Sequence, residues 1–319
     1  MKARVRRLSS QEWERWCAGA EALPITCDPD WASAICDVMT WQRAQPFHIS
    51  DPSGDALVVG YPQSSRWIKS LTLSPFGLGA AFDVRPLEAD ASRLVSAFIE
   101  NQRMRWRSIG FVLRPFQNNV AAALPHADVT RSEMTHVLRL DETFDDLFAG
   151  RFSGATRTAL RRATAAAVVV EKRSDQEAID AYYDVHTRLA EAKGGYGELY
   201  PKLLFERLLK SCKNATLLVA SEGDQIIGGG VFLSDAQQVL YWHGAAERNA
   251  SALKPSYAIL ATAIRSALGA GAGWFNFGGS NGLESLIRFK ERWGAKAAEQ
   301  TAISYLNPIV RYLKKSAGR

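Results

Sequence analysis

The sequence predicts an α+β protein built on mixed, mostly antiparallel sheets. Three observations carry this. The runs ATLLVA, IIGGGVFL and QVLYWHGA are joined by SEGDQ and SDAQ, turns too short for a parallel crossover. Helix-patterned segments stand in blocks around that meander instead of alternating with single strands. The 319 residues, 47% hydrophobic and 23% charged, are enough for two domains that each bury a core.

The elements follow in order. Residues 10–40 read as helical. PFHIS, DPSGD and ALVVGYP read as strand, turn and strand, because a Pro/Gly/Asp cluster separates two β-rich runs. Residues 65–83 give a strand ending in a Gly/Pro loop. DASRLVSAFIENQRMRW has helical apolar spacing at Leu94, Ala97, Phe98 and Met104. SIGFVLRPF and MTHVLRL are strands that close the first half. The second half opens with a helical stretch, 141–167, broken at Ser153–Gly154. VVVEKR is a strand, and DQEAIDAYYDVHTRLAEAK an amphipathic helix capped by Asp175 or Ser174. PKLLFERLLKSC is a helix with Pro201 in its first turn, and the meander follows. KPSYAILATAIRSALGAG starts a helix at Pro255. WFNFGG, NGLESLIRFKERWG and AEQTAISYL then read as strand, helix and strand. The first half looks like a shorter version of the same plan, which sets the expected domains at 1–140 and 141–319.

Charge and cysteines narrow the function. The net charge is +6. Residues 288–319 carry eight basic groups and two acidic ones, and residues 151–173 carry six basic groups against Glu171 alone. Such patches suit a phosphorylated cofactor, a nucleotide-linked substrate or RNA, or are plain solvated surface. Cys17, Cys27, Cys36 and Cys212 form no CxxC pair and have no histidine at ligand spacing, so reduced thiols are expected and a zinc site is not. The basic N-terminus lacks an apolar stretch behind it, and no run spans a bilayer, so a cytoplasmic protein is expected. Neither a Walker loop nor an acidic metal cluster is present, which speaks against a kinase or nuclease.

Several quoted stretches together resemble the FemAB-like branch of the GNAT superfamily of N-acyltransferases. TRTALRRA is similar to the family's basic first helix, and YWHGAAERNASALKPSYAIL to its central strand, turn and cofactor-side helix. FNFGGSNGLESLIRFKERWG resembles the closing signature, with Gly-Ser, Gly-Leu and Phe-Lys in order. SLTLSPFGLGA resembles a loop of the N-terminal domain. The likeness covers roughly residues 40–306. It implies two tandem GNAT-like domains, the first degenerate. The implied reaction is transfer of an acyl or aminoacyl group to an amine. Known members include peptidoglycan-bridge aminoacyltransferases, which take the group from aminoacyl-tRNA to a lipid- or UDP-linked muropeptide. No tightly bound cofactor is implied. Acyl-CoA or aminoacyl-tRNA would be the co-substrate, and the acceptor a small or muropeptide-like amine, with tRNA as partner and no DNA. Peripheral membrane contact is left open. The Phe-Lys of the signature, here Phe289 and Lys290, would lie at the reaction centre, beside Gly279 and Ser280.

The residues themselves add to this. At about 100° per residue, Leu283, Leu286, Ile287, Phe289 and Trp293 share one arc of their helix, and Lys290 falls inside it. An ammonium aimed at a core either snorkels to water or meets negative charge. For a general base the candidates are Glu198, His243 and Tyr241, or a substrate phosphate. Strand alternation places Val239, Tyr241 and His243 on one face, where they are either catalytic or packed and satisfied. A helix N-terminus at LKPSYA, with Lys254, Ser256 and Tyr257, offers an anion site for the donor. Arg248 opens the nearest match to a CoA pyrophosphate loop, RNASA, but Ser251 stands where a glycine would allow close approach. Arg157 and Arg161 share a helix face and either grip an acceptor carboxylate or phosphate or form a solvated helix face. Tyr196 could line the acceptor cleft from the loop KGGYGELYP. The competing class is a non-catalytic RNA- or nucleotide-binding protein that keeps the fold.

Overall fold

The computed structural model describes residues 3–19, 23–39, 42–65, 68–79, 82–85, 90–115, 124, 126–192, 200–235 and 237–317. The chain divides into two units, Met1–Glu133 with Glu299–Arg319, and Met134–Ala298. The expected cut at 140/141 therefore shifts, and the end of the chain changes unit. The cause is strand pairing. β13 (Lys296–Leu306) runs antiparallel to β6 (Ser108–Leu113), from Thr301↔Leu113 to Leu306↔Ser108.

In the first unit the sheet order is β1 (Arg4–Arg7), β2 (Gln45–Asp51), β3 (Gly54–Ser65), β4 (Ile68–Thr72), β6 and β13, with β5 (Phe82–Arg85) on β3. Among these pairings only β4 with β6 is parallel. The helical stretch expected at 10–40 is two helices. α1 (Ser10–Ala18) begins in a Ser9/Glu12 capping box. Asp28 caps α2 (Pro29–Val38), with Pro29 in its first turn. α3 (Ala91–Gln102) buries Leu94, Val95, Phe98 and Ile99 on Phe47, Ile49 and Phe111. Tyr305 of β13 completes this core.

The second unit orders β7 (Val129–Arg139), β12 (Trp274–Gly279), β11 (Gln238–Ala246), β10 (Gln225–Ser234), β9 (Ala215–Glu222) and β8 (Val169–Arg173). All neighbours are antiparallel except β11 and β12. Both units are thus mixed, mostly antiparallel sheets flanked by helices, an α+β architecture. Ser153 caps α4 (Gly154–Ala165) at the expected break, and Asp175 caps α5 (Gln176–Glu191). α6 is Lys202–Ser211, α7 Pro255–Gly269 and α8 Glu284–Glu291. One sheet face packs on α7 through Phe232, Ile259, Ile264, Phe275 and Trp293. The other carries α5, which approaches β10 so closely that a Cβ on Gly229 would lie 2.5 Å from the Tyr182 ring.

Candidate active site

Strands β11 and β12 are parallel for only three residue pairs, Gln238↔Trp274, Val239↔Phe275 and Leu240↔Asn276. Beyond them both strands become irregular. β12 shifts register against β7 between Asn276 and Gly279. Buried Asn276 holds the shift: its Oδ1 accepts from Thr135 Oγ1 at 2.8 Å and from the Gly278 amide at 2.8 Å. Its Nδ2 donates to Gln238 Oε1 at 3.2 Å. Gly278 adopts φ 73°, a conformation that glycine allows without a Cβ clash. The strands part here, at their carboxyl ends, and α7 connects them. Ligands of sheets with parallel pairs bind outside such ends.

The first turn of α7 stands at this fork. Lys254 is its N-cap, in the left-handed region at φ 62°, and Pro255 follows. No side chain caps this turn. Pro255 carries no N–H, and the Tyr257 and Ala258 amides reach back to the Lys254 carbonyl, so within this turn the Ser256 amide is the one left for an anion. Tyr257 stacks on Trp293 (5.6 Å between centroids, 25°) and meets Phe289 edge-on at 5.3 Å.

Lys290 points inward, as the helical arc requires, and is 2% exposed. Its Nζ donates to the carbonyls of Gly278 at 2.7 Å and Gly279 at 2.5 Å. Burial pushes its pKa down to about 8. The ammonium therefore ties α8 to the irregular end of β12 with two of its three N–H groups. Leu283 departs from the expected arc. It precedes α8 as its N-cap and is 59% exposed.

His136 escaped the sequence reading. Thr135 pairs with Gly279 and Val137 with Asn276, so His136 stands opposite Phe277–Gly278. It is buried, and both ring nitrogens lack a hydrogen-bond partner, as does the buried Ser280 Oγ. Burial first, and then the charge of Lys290, lowers its pKa and keeps the ring neutral. The signal was present in MTHVLRL, where alternation sets His136 on the face of core residue Leu138.

Tyr241 and His243 do not share a face. Phe232 pairs with Tyr241 and Val231 with His243, so Trp242 is an extra residue, a β-bulge. The bulge reverses the alternation that was expected to hold them together. Tyr241 stacks on Phe232 at 5.3 Å in the α7-side core, and burial raises its phenol to about 12. His243 turns to α5. Its Nδ1 lies 2.5 Å from Tyr182 Oη, and its ring is 4.3 Å from that of His186. Burial, then His186, takes its pKa down to about 3.

The remaining candidates divide. Gly279 and Ser280 lie at the fork, and Ser256 lies in the first turn of α7. Arg248 is exposed. In the loop after it, the Ser251 amide is spent on the Arg248 carbonyl and the Leu253 amide on that of Ala250. Arg157 donates to the carbonyls of Phe148, Ala149 and Phe152, closing the turn before α4. Arg161 is exposed, 5.9 Å over the Phe148 ring, and borders a surface hollow with Leu160, Ala258 and Thr262. Tyr196 and Glu198 lie outside the described residues. Among the described residues no cluster of His, Cys, Asp and Glu could hold a metal ion, and no helix is long and apolar enough to cross a membrane.

Comparison with known proteins bears on the fold. Residues 150–291 match the family model of the acetyltransferase (GNAT) domain. No curated protein matches the sequence. Among solved structures, FemX is similar at TM-score 0.74 and 14% identity, over 97% of this chain and 99% of its own. A conserved Bacteroides thetaiotaomicron protein of unknown function gives 0.63 at 10%, over 95% and 99%. A tandem GNAT protein from the clavulanic acid biosynthesis pathway gives 0.52 at 10%, over 96% and 99%. The shared feature is the fold.

Proposed function

Taking residues 150–291 as an acyltransferase domain of the GNAT type, we propose that the protein transfers an acyl or aminoacyl group to an amine at the β11–β12 fork. The observation that carries this is the parting of the two strands after Leu240 and Asn276, with the first turn of α7, uncapped by any side chain, following β11. In the reaction a neutral amine attacks the carbonyl carbon of an activated ester or thioester. A C–N bond forms, the C–O or C–S bond breaks, and the proton given up by the amine ends on the leaving oxygen or sulfur. The first turn of α7, with Lys254 and Ser256, holds phosphate of the donor. Lys290 fixes the Gly278–Gly279 backbone and directs its remaining N–H toward the developing oxyanion. His136 and Ser280, buried without partners, stand beside those carbonyls and are the first candidates to hold a polar group of the substrate.

An aminoacyl-tRNA donor is favoured over acyl-CoA. Two amides of the RNASAL loop, which would face a pyrophosphate, are already spent, and Ser251 puts a side chain there. The resemblance to peptidoglycan-bridge transferases agrees, and extends to a muropeptide-like amine as acceptor. The reaction would then run in the cytoplasm, where such donors are made. The test is transfer of labelled acyl groups to amine acceptors, including UDP-linked muropeptide, from charged tRNA and from a panel of acyl-CoAs. Turnover only with acyl-CoA would overturn the donor assignment. Binding of donors with no transfer from any of them would leave a nucleotide-binding protein.

A further inference from the structure

The last helix of the first unit, α9 (Pro308–Ala317), is amphipathic in the wrong sense for a helix packed on a core. Ile309, Tyr312 and Leu313, spaced i, i+3, i+4, form one stripe and are 60%, 71% and 59% exposed. The side turned to the protein is held by charge: Arg311 Nε meets Asp128 Oδ1 at 2.9 Å, and that carboxylate also accepts the Leu306 amide at 2.8 Å. A fourth apolar side chain, Met104, is 58% exposed. Its carbonyl accepts from Asn307 Nδ2 at 3.1 Å, next to the start of α9. Met104 lies between Arg103 and Arg105, and Arg107 follows. Residues 308–319 add four basic groups and no acidic one.

Such a surface, apolar in a stripe and basic around it, has one complementary partner on physical grounds. We propose that α9 and the adjoining Met104 turn dock the protein on an anionic lipid bilayer. The stripe would enter the headgroup boundary, and the exposed Arg105 and Arg107 beside Met104 would face lipid phosphates. A second copy fits less well, because pairing this face with itself would oppose its own positive charges. RNA would meet the arginines but gain nothing from the stripe. This reading stands independently of the transfer reaction, since none of these residues lies at the fork.

The test is co-sedimentation of the full chain with vesicles of phosphatidylcholine alone and with added phosphatidylglycerol. Binding is expected only with the anionic lipid and should weaken as salt is raised. The double variant Ile309→Glu/Leu313→Glu should lower it at least about tenfold. Both side chains are largely exposed, so the melting temperature should not change. Absence of binding, equal binding to both vesicles, or binding that survives the double variant would each overturn the proposal. So would light scattering that shows a dimer dispersed by the same substitutions, which would give the face to a second copy.

Discussion

Replacing Lys290 with methionine separates two roles that one side chain combines. The substitution keeps the length of the chain and removes every N–H. The Gly278 and Gly279 carbonyls then lose their donor, at about 1–3 kcal/mol each for buried groups. Against this stands the cost of the buried charge. Holding the ammonium at a pKa of about 8 instead of 10.5 costs the folded chain about 3 kcal/mol at neutral pH. The two effects partly offset, and the expected change runs from a gain of about 1 to a loss of about 3 kcal/mol. Turnover should fall about a hundredfold or more, as for loss of a donor to an oxyanion. The pH dependence has a definite sign. Between about 8 and 10.5 the unfolded chain holds a proton that the folded one has released. Wild-type stability therefore gains with rising pH across this window, and Lys290→Met should lack that gain. Urea denaturation at pH 7 and at intervals up to 10, with turnover at pH 7, measures all of this. A loss above about 4 kcal/mol, or an unchanged slope with pH, would refute the reasoning about burial. Turnover within a few-fold of wild type would remove Lys290 from the reaction.

Three further outcomes follow from the second unit. His243 should stay neutral through the physiological range, and its NMR titration should appear only near pH 3. Because its folded pKa is lowered, its contribution to stability is complete above about 6.5 and is lost as pH falls toward 3; His243→Phe should flatten that decline. Arg157→Ala removes three bonds to carbonyls and should cost about 1–3 kcal/mol in stability with the acceptor KM unchanged; a raised KM at unchanged stability would return Arg157 to the acceptor. Gly229→Ala must displace the Tyr182 ring and should cost about 1–3 kcal/mol, read as a lower melting temperature; an unchanged value would mean that α5 yields freely.

Much of this was legible because its causes are local. The break at Ser153, the cap at Asp175, Pro255 at the start of α7, and the inward Lys290 each depend on residues within a turn or two. The parts that were not legible depend on a partner far along the chain. Alternation fails at Trp242 because β10 accommodates an extra residue opposite it, and nothing in QVLYWHGA announces that. Arg157 was expected to grip an acceptor carboxylate or phosphate, yet the turn before it supplies the carbonyls that occupy it. The domain cut moved because Thr301 pairs with Leu113, a contact that no local pattern reports. His136 was within reach, because alternation from Leu138 sets it on the core-facing side of β7.

The pairing of β13 with β6 also fixes an order of assembly. The first unit is the first to leave the ribosome, yet a strand of its sheet lies beyond residues 134–298 and arrives last. At roughly 5–20 residues per second, the wait is on the order of ten seconds or more. During that time the open edge of β6 is a hazard for misassociation. The second unit is contiguous, and its strand pairings from β7 to β8 need no segment made after residue 298. The N-terminal part of this protein thus matures after the middle of the chain, and a stop codon near residue 300 would injure the half that was made earliest.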